Sequence, residues 1–238
     1  MATKSKESTK PYLRLLRDVK QIMKKPLTNH GIYYVHDESD MYKGMAMIIG
    51  PKDTPYCDGF YFFKFQFPKN YPFSPPALKY YTNNGKTRFN PNLYRNGKVC
   101  LSVVNTWRGE QWTSCQTISS ILMALVTIFT ENPLTNEPGY ASGHKDCLPY
   151  KRSVEFMNYY TAIYNMATRE SLPDAFLGFY PIIKRHLLER KSDILKRLDT
   201  LANSPINNVT YRVGVYGMTT ALEYTVLRDR MKKALSNI

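Results

Sequence analysis

A cysteine and an asparagine eight positions apart are the residues of this chain best suited to chemistry. Cys100 follows Asn92 within the stretch NPNLYRNGKVC, which covers residues 90–100. Thiolates form thioesters readily, and thioesters are good acyl donors to amines. A side-chain amide close by can donate hydrogen bonds to the oxyanion of a tetrahedral intermediate. The pair therefore points to acyl transfer, while a small buried cysteine beside a polar turn is the ordinary alternative.

A cysteine hydrolase is a second alternative, because a thiol that forms and hydrolyses an acyl-enzyme needs a histidine partner. The chain has four histidines, none of them near Cys100 along the chain: His30, His36, His144 and His186. Separation in sequence does not exclude contact in the fold, so this alternative stays open at this point.

The net charge bounds the kinds of partner that the chain can attract. Its 238 residues include 33 basic and 19 acidic side chains, which give a formal net charge of +14. This excess favours anionic partners, namely acidic protein surfaces, nucleic acid or anionic lipid. No RGG run, zinc finger or aromatic nucleic-acid-binding motif accompanies the charge, so we do not expect nucleic acid as a partner. A basic solvated surface without a dedicated ligand is the alternative.

Cysteine usage and apolar runs bear on the compartment. Four cysteines without CxxC spacing or Cys/His pairing predict free thiols and no metal site: Cys57, Cys100, Cys115 and Cys147. Residues 1–10 contain no apolar run typical of a signal peptide, and no later stretch approaches the roughly 18 apolar residues of a membrane span. We therefore expect a soluble protein in the cytoplasm, with the nucleus as an alternative, and no membrane partner.

The first half of the chain predicts one helix followed by a sheet. Apolar residues at helical spacing predict a helix over residues 12–25, which Pro26 ends. We expect four apolar residues to form its buried face: Leu13, Leu16, Val19 and Met23. Four β-rich segments follow, separated by turn residues: 31–36, 45–49, 61–67 and 78–81. Their close spacing favours an antiparallel meander over βαβ units.

The second half predicts a long loop and then helices. Residues 83–112 have little periodicity and carry the Asn92/Cys100 pair, as functional loops do. Residues 114–130 predict a buried helix with Thr117 or a nearby Ser/Thr as its N-cap. Three further helical patterns cover the last ninety residues: 150–171, 174–201 and 219–235. This order of elements predicts an α+β fold.

Domain organisation follows from the same pass. We expect a disordered N-terminus over residues 1–10, a core over 11–170 and a helical C-terminal extension over 171–238. Apolar residues at helical spacing in the extension predict packing onto the core or onto a partner, with a cap over the core as the simpler interpretation.

Three groups of residues together resemble the ubiquitin-conjugating enzyme family, in matching order and spacing over about residues 10–170. They are GPKDTPYCDGFYFF at 50–63, FPKNYPFSPP at 67–76, and the set Asn92, Gly97, Cys100, Leu101 and Trp112. Three further features are similar to the branch that contains ubiquitin-conjugating enzyme Z: NPN at 90–92, a lengthened segment at 102–111 and NEPG at 136–139.

The resemblance implies the UBC fold, with an N-terminal helix, a four-stranded antiparallel meander, an active-site loop, a central helix and C-terminal helices. It implies that Cys100 accepts ubiquitin or a ubiquitin-like protein from an activating enzyme and transfers it to a substrate lysine or to a ligase. ATP is then used only by the activating enzyme, and no cofactor or metal is expected. A non-catalytic ubiquitin-binding scaffold is the alternative, although such variants lack the cysteine.

The resemblance also implies roles for individual residues near the reaction. Cys100 is the thioester nucleophile, and Asn92 stabilises the oxyanion or supports the loop. Glu137 stands in the turn where many relatives carry an acidic residue that orients the incoming lysine. It is either such an acidic gate or an exposed turn carboxylate.

Two docking surfaces are implied as well. Basic residues of the first helix are expected to bind the activating enzyme: Arg14, Arg17 and Lys20. Phe73 and Ser114 are expected to face a ligase, although Ser114-Cys115 replaces the Pro-Ala pair of many relatives. We expect Cys115 itself to be a packing residue at the start of the helix.

Overall fold

The structure, a computed structural model, describes residues 11–238, so the predicted disorder of residues 1–10 lies outside the described residues. The first half contains α1 (Pro11–Lys24), β1 (Ile32–His36), β2 (Lys43–Ile49), β3 (Phe60–Gln66) and β4 (Ala77–Tyr80). The second half contains α2 (Ile118–Thr127), α3 (Cys147–Met157), a π-helical segment (Asn158–Tyr164), α4 (Asn165–Ala167), α5 (Tyr180–Ala202), β5 (Thr210–Val213), β6 (Met218–Ala221) and α6 (Tyr224–Ser236).

The four predicted strands form one antiparallel sheet in the order β1-β2-β3-β4, which confirms the meander and the α+β class. The N-cap of α2 is Thr117, as predicted, and its hydroxyl accepts a hydrogen bond from the Ser120 N–H. Among the described residues, no helix combines the length and apolar character needed to cross a membrane.

Both faces of the sheet are covered, and β3 shows this most directly. Tyr61, Phe63 and Phe65 belong to a core shared with α1 and α2. Phe60 and Phe62 belong to a second core, built with the π-helical segment, α5 and α6. Because neighbouring side chains on a strand point to opposite faces, a strand buried on both sides is apolar at nearly every position. The run YFFKFQF therefore reflects a sheet packed between two layers.

The buried face of α1 differs from the predicted one. Leu15, Val19 and Ile22 are buried, whereas Leu13, Leu16 and Met23 are 42%, 37% and 70% exposed. The prediction was wrong at those three positions because the face is set by partners far away in sequence.

Asp18 lies within the buried face of α1 and is only 3% exposed. Its carboxylate accepts hydrogen bonds from Arg14 Nε at 2.9 Å and from the Tyr71 hydroxyl at 2.5 Å. A buried carboxylate is tolerated when it is paired and hydrogen-bonded in this way. A polar residue thus occupies the buried face of α1.

The C-terminal extension contains a β-hairpin that the sequence analysis missed. β5 and β6 pair as a two-stranded antiparallel sheet, so residues 219–221 form a strand and the last helix begins at Tyr224. Met218 and Thr220 are buried at alternate positions of β6, Val213 of β5 pairs with Met218, and Gly217 has a φ of +56° in the turn. This period of two and the turn glycine are signals that could have identified the hairpin. The boundary at residues 170/171 stays a prediction.

One ion-pair cluster joins α5 to the turn between β2 and β3. The buried Asp58 carboxylate accepts hydrogen bonds from His186 Nε2 at 2.9 Å and from Arg190 Nε at 3.2 Å. Burial opposes its ionisation, but the hydrogen bonds from His186 and Arg190 outweigh burial and hold the pKa of Asp58 below its usual value.

Candidate active site

The loop that carries Cys100 is attached to the edge of the sheet. The Tyr80 N–H of β4 donates a hydrogen bond of 2.8 Å to the carbonyl of Gly97. Gly97 has a φ of +88°, and a Cβ there would lie 2.8 Å from the Tyr80 carbonyl oxygen. Only glycine fits both requirements without a shift of the backbone. The Pro/Gly-punctuated stretch before Cys100 therefore docks the loop on β4.

Asn92 and Cys100 are joined through the main chain. The side-chain Nδ2 of Asn92 donates a hydrogen bond of 2.8 Å to the Cys100 carbonyl. The Cys100 N–H in turn donates to the Asn92 carbonyl, also at 2.8 Å. The side-chain oxygen of Asn92 is buried without a hydrogen-bond partner among the described residues. In this geometry Asn92 supports the loop. The hydrogen bond to the Cys100 carbonyl uses one of the two Nδ2 hydrogens and leaves the second one out of that contact.

Asn90 holds the base of the loop. It is fully buried, and its Nδ2 donates to the Tyr56 hydroxyl at 2.9 Å and to the Ile128 carbonyl at 2.8 Å. Its side-chain oxygen accepts the Asn92 N–H at 2.9 Å. Every hydrogen-bonding atom of this amide therefore positions main chain or core groups around Asn92.

Arg88 clamps the same stretch from its outer side. Its guanidinium lies 3.3 Å from the centre of the Tyr94 ring, close enough for a cation–π contact. It also donates hydrogen bonds to the carbonyls of Asn90 at 3.1 Å and Pro91 at 2.6 Å. Arg88 was not singled out from the sequence, because nothing local marks it as part of the loop.

Thr106 braces the chain directly after the cysteine and was also missed. Its hydroxyl oxygen accepts the Leu101 N–H at 2.8 Å and lies 3.0 Å from the Val99 carbonyl oxygen. The Thr106 hydroxyl therefore binds the main chain of both neighbours of Cys100, Val99 and Leu101. A threonine that hydrogen-bonds to its own loop produces no repeat or characteristic spacing in the sequence, so sequence reasoning could not identify it.

Cys100 is only 2% exposed. An open groove of about 380 Å³ lies beside it. The groove is lined by residues on both sides of the cysteine and by the end of α2, including Asn92, Leu101, Ser102, Trp107, Ile128 and Asn136. An extended peptide segment could occupy this space next to Leu101, the residue that follows the cysteine.

The histidines do not form a Cys–His pair in the described part of the chain, where no hydrogen bond joins any of them to Cys100. His36 contacts the Tyr34 hydroxyl and the Met41 carbonyl. His144 accepts a hydrogen bond from the Asp146 N–H, and His186 is bound to Asp58. The geometry thus gives no support to a cysteine hydrolase. Within residues 11–238, no group of three or more His, Cys, Asp or Glu side chains could hold a metal ion.

Glu137 carries a hydrogen-bonded carboxylate one residue beyond Asn136, which lines the groove. It follows the 3₁₀ turn Pro133–Asn136, and its Oε2 accepts a hydrogen bond of 2.6 Å from the Tyr216 hydroxyl. The neighbouring Asn136 donates to the Ile128 carbonyl at 2.8 Å and lines the groove. Tyr216 belongs to the β5–β6 turn, so sequence reasoning could not place it beside Glu137.

The three predicted docking residues of α1 fall into two kinds. Arg17 and Lys20 are exposed. Arg14 is half-buried and donates hydrogen bonds to the carbonyls of Ser114 at 2.7 Å and Gln116 at 2.8 Å. Arg14 thus ties α1 to the segment that precedes α2, while Arg17 and Lys20 present their charges to solvent.

Phe73 and Ser114 are both exposed, Phe73 by 72%. Trp112 connects the two loops that carry them, because its indole N–H donates a hydrogen bond of 2.7 Å to the Pro72 carbonyl. Cys115 is exposed as well, so its predicted packing role was wrong. The reason is that α2 begins only at Ile118, which leaves Cys115 in the turn before the helix.

Comparison with known proteins places this site in context. The family model described as "Ubiquitin-conjugating enzyme" matches residues 14–156. The chain is 50% identical over 129 residues to human "Ubiquitin-conjugating enzyme E2 Z", and this match covers 54% of this chain and 36% of that protein. It is 48% identical over 136 residues to the protein of the same name from Danio rerio, and that match covers 57% of this chain and 41% of the relative. The chain therefore matches well under half the length of these relatives.

A solved structure is similar too. Human ubiquitin-conjugating enzyme E2 G1 shares 31% sequence identity, with a TM-score of 0.44, and the match covers 50% of this chain and 93% of that chain.

Proposed function

The chain belongs to the ubiquitin-conjugating enzyme family, and on that premise we propose that Cys100 accepts ubiquitin or a ubiquitin-like protein as a thioester. The Cys100 sulfur attacks the thioester carbonyl of the modifier carried by an activating enzyme. A new C–S bond forms, the old C–S bond breaks, and the departing thiol of the activating enzyme takes up the proton that Cys100 loses. Because the bonds broken and formed are of the same type, the step needs little general-base assistance.

The observation that carries the proposal is the position of Cys100 within a braced loop beside an open groove. Asn92 on one side and Thr106 on the other fix the main chain around the thiol, at 2.8 Å each. The groove offers room for an extended modifier tail whose terminal carbonyl must reach the sulfur. Preorganised main chain of this kind lowers the cost of aligning two large reactants.

Cys100 then transfers the modifier to a substrate lysine or to a ligase thiol. In the lysine reaction a C–N bond forms and the C–S bond breaks, and the proton lost by the nitrogen balances the one gained by the Cys100 thiolate. The second Nδ2 hydrogen of Asn92 is the candidate donor to the oxyanion of this step. ATP would be consumed only by the activating enzyme, so we propose no cofactor on this chain.

The exposed basic residues of α1 and the surface around Phe73 support two partner sites. Arg17 and Lys20 would meet an acidic surface of the activating enzyme, and the positive charge would mainly raise the association rate. Phe73 and Ser114 would face a ligase. We propose that these encounters occur in the cytoplasm, with the nucleus as the alternative.

The test is a charging assay with a panel of activating enzymes and modifiers, ATP and the full chain. We expect a thiol-labile adduct with the wild type, a thiol-stable ester with Cys100→Ser, and a wild-type adduct with the exposed-cysteine control Cys115→Ser. Adduct formation by Cys100→Ala would disprove the site, and no adduct with any pair would favour the non-catalytic scaffold.

A further inference from the structure

The turn between β5 and β6 contacts separate parts of the region around the candidate active site. Arg95, in the loop before Cys100, donates a hydrogen bond of 2.6 Å to the carbonyl of Tyr216. The Tyr216 hydroxyl donates to Glu137 Oε2 at 2.6 Å. The neighbouring Val215 N–H donates to the buried Asp146 carboxylate at 2.9 Å. The extension is thus bonded to the loop, to the turn after α2 and to the start of α3.

The Tyr216 ring is held in place by its neighbours. It lies 5.3 Å from the Tyr150 ring and 5.3 Å from the guanidinium of Arg88, which itself clamps the chain before Asn92. Burial is the main cause that raises the pKa of Tyr216, and the hydrogen bond to Glu137 raises it further. The hydroxyl therefore stays protonated near neutral pH and acts as a fixed donor.

The Glu137 carboxylate keeps one oxygen available. Oε2 is bound to Tyr216, and no hydrogen bond to Oε1 is formed within residues 11–238. The preceding residue, Asn136, lines the same groove as Asn92. Glu137 is one residue along the chain from this groove, and a carboxylate that reaches it can accept a hydrogen bond from the nitrogen of an incoming amine; charge-assisted bonds of this kind are directional and strong.

We propose that Tyr216 is a positioning residue that sets the Glu137 carboxylate at the edge of the Cys100 site, so that transfer to an amine depends on the C-terminal hairpin. The inference rests on the proposed function. In the transfer step the amine nitrogen attacks the thioester carbonyl, a C–N bond forms and the C–S bond to Cys100 breaks. The nitrogen gives up one proton to solvent and the Cys100 thiolate regains one. Glu137 orients the nitrogen, and Tyr216 orients Glu137.

The test compares two acceptors of the same thioester. The full chain is charged with ubiquitin by an activating enzyme and ATP, or with the modifier that the panel above identifies, and is then separated from ATP. Discharge is followed with free lysine and, separately, with 2-mercaptoethanol. A residue that orients an amine changes the ratio of the lysine rate to the thiol rate, whereas a general disturbance of the loop lowers both rates together.

We expect Tyr216→Phe to lower that ratio about tenfold, as loss of a hydrogen bond to a charged group does. Glu137→Gln should lower it to a similar degree, and the double variant should lower it no further, because the two residues act in one chain of contacts. Tyr211→Phe is the matched control, since its hydroxyl makes no hydrogen bond within the described residues and it lies on the same hairpin.

The outcomes of this test distinguish failure of the positioning role from failure of the proposed function. An unchanged ratio in Tyr216→Phe, or an equal fall of both rates, overturns the positioning role while successful charging leaves the proposed function standing. Failure of the wild type to charge with any modifier removes the proposed function and this inference with it. If thermal unfolding shows that Tyr216→Phe does not fold, Glu137→Gln carries the test, and an unchanged ratio there overturns the inference.

Discussion

Asn92 is bonded to the backbone of Cys100 and, among the described residues, not to its sulfur. The side-chain amide donates to the Cys100 carbonyl, and the Cys100 N–H returns a bond to Asn92. Asn92 therefore sets the course of the chain at Cys100. An oxyanion role would use the remaining Nδ2 hydrogen and would be added to this support.

Replacement of Asn92 tests both contributions together. We expect Asn92→Ala to slow transfer from the Cys100 thioester to lysine by about 10²–10³, the usual effect of losing an oxyanion donor. Single-turnover discharge of the purified thioester measures this rate. Asn29→Ala, an exposed asparagine in the turn before β1, should behave as wild type. A wild-type discharge rate in Asn92→Ala would contradict the assignment.

Thr106 should matter for the stability of the loop. In Thr106→Val the Leu101 N–H loses its acceptor while the side-chain shape is kept. A hydrogen bond between neutral groups contributes about 0.5–1.5 kcal/mol, so we expect a loss of unfolding free energy of that size and slower charging. Urea unfolding and the charging rate measure the two effects. Thr113→Val, at an exposed position of the next turn, is the control, and an equal effect there would argue against the brace.

Basic residues of α1 should separate into docking and structural roles. We expect the double variant Arg17→Glu/Lys20→Glu to charge more slowly than the wild type at low salt, with the difference shrinking as salt screens the charges. Arg230→Glu/Lys233→Glu, a matched pair of exposed residues on α6, should charge normally.

Arg14 should behave differently from its neighbours. Because it bonds Asp18 and two carbonyls before α2, Arg14→Ala is expected to lower the free energy of unfolding by about 1–3 kcal/mol. Urea unfolding measures the loss. Wild-type stability of this variant would show that these hydrogen bonds contribute nothing net.

Phe73 should affect partner binding and leave folding unchanged. It is 72% exposed, so we expect Phe73→Ala to change the unfolding free energy by no more than about 0.5 kcal/mol. The variant should charge normally and lose ligase-stimulated discharge. Leu188→Ala, which is 50% exposed on α5, is the control. Undiminished stimulation by every ligase that acts on the wild type would rule out this surface.

Asp58 should make the attachment of α5 sensitive to acid. Its folded pKa lies below the usual value of 3.8, so its stabilising effect is complete above that value and is lost as the pH falls through the lowered folded pKa. At neutral pH we expect Asp58→Asn to lower the unfolding free energy by about 1–3 kcal/mol. The difference from wild type should shrink in acid. A difference that stays constant with pH, or that is matched by the exposed Asp229→Asn, would contradict the assignment.

Local sequence determined the first four strands and the candidate pair of Asn92 and Cys100, because both depend on residues close together along the chain. β-rich apolar runs and the turn residues between them define β1 to β4, and the eight-residue spacing of Asn92 and Cys100 lets one short loop close with two hydrogen bonds. The capping pair Thr117 and Ser120 lies within a single helical turn. These features need no distant partner, so the sequence alone could predict the four strands, an N-cap at Thr117 and the candidate pair.

Tertiary structure decided which faces are buried and what surrounds the loop. Whether Asp18 lies inside or outside depended on Tyr71, which is 53 residues away and supplies the hydrogen bond that makes burial tolerable. The contact of Glu137 with Tyr216 spans 79 residues and requires the β5–β6 hairpin, which was not predicted and whose residues 219–221 were assigned to the start of a helix. A cysteine at a given spacing predicts a thioester site, but only the folded chain determines which side chains lie close enough to direct it, because hydrogen bonds act over a few ångströms and sequence distance does not report them.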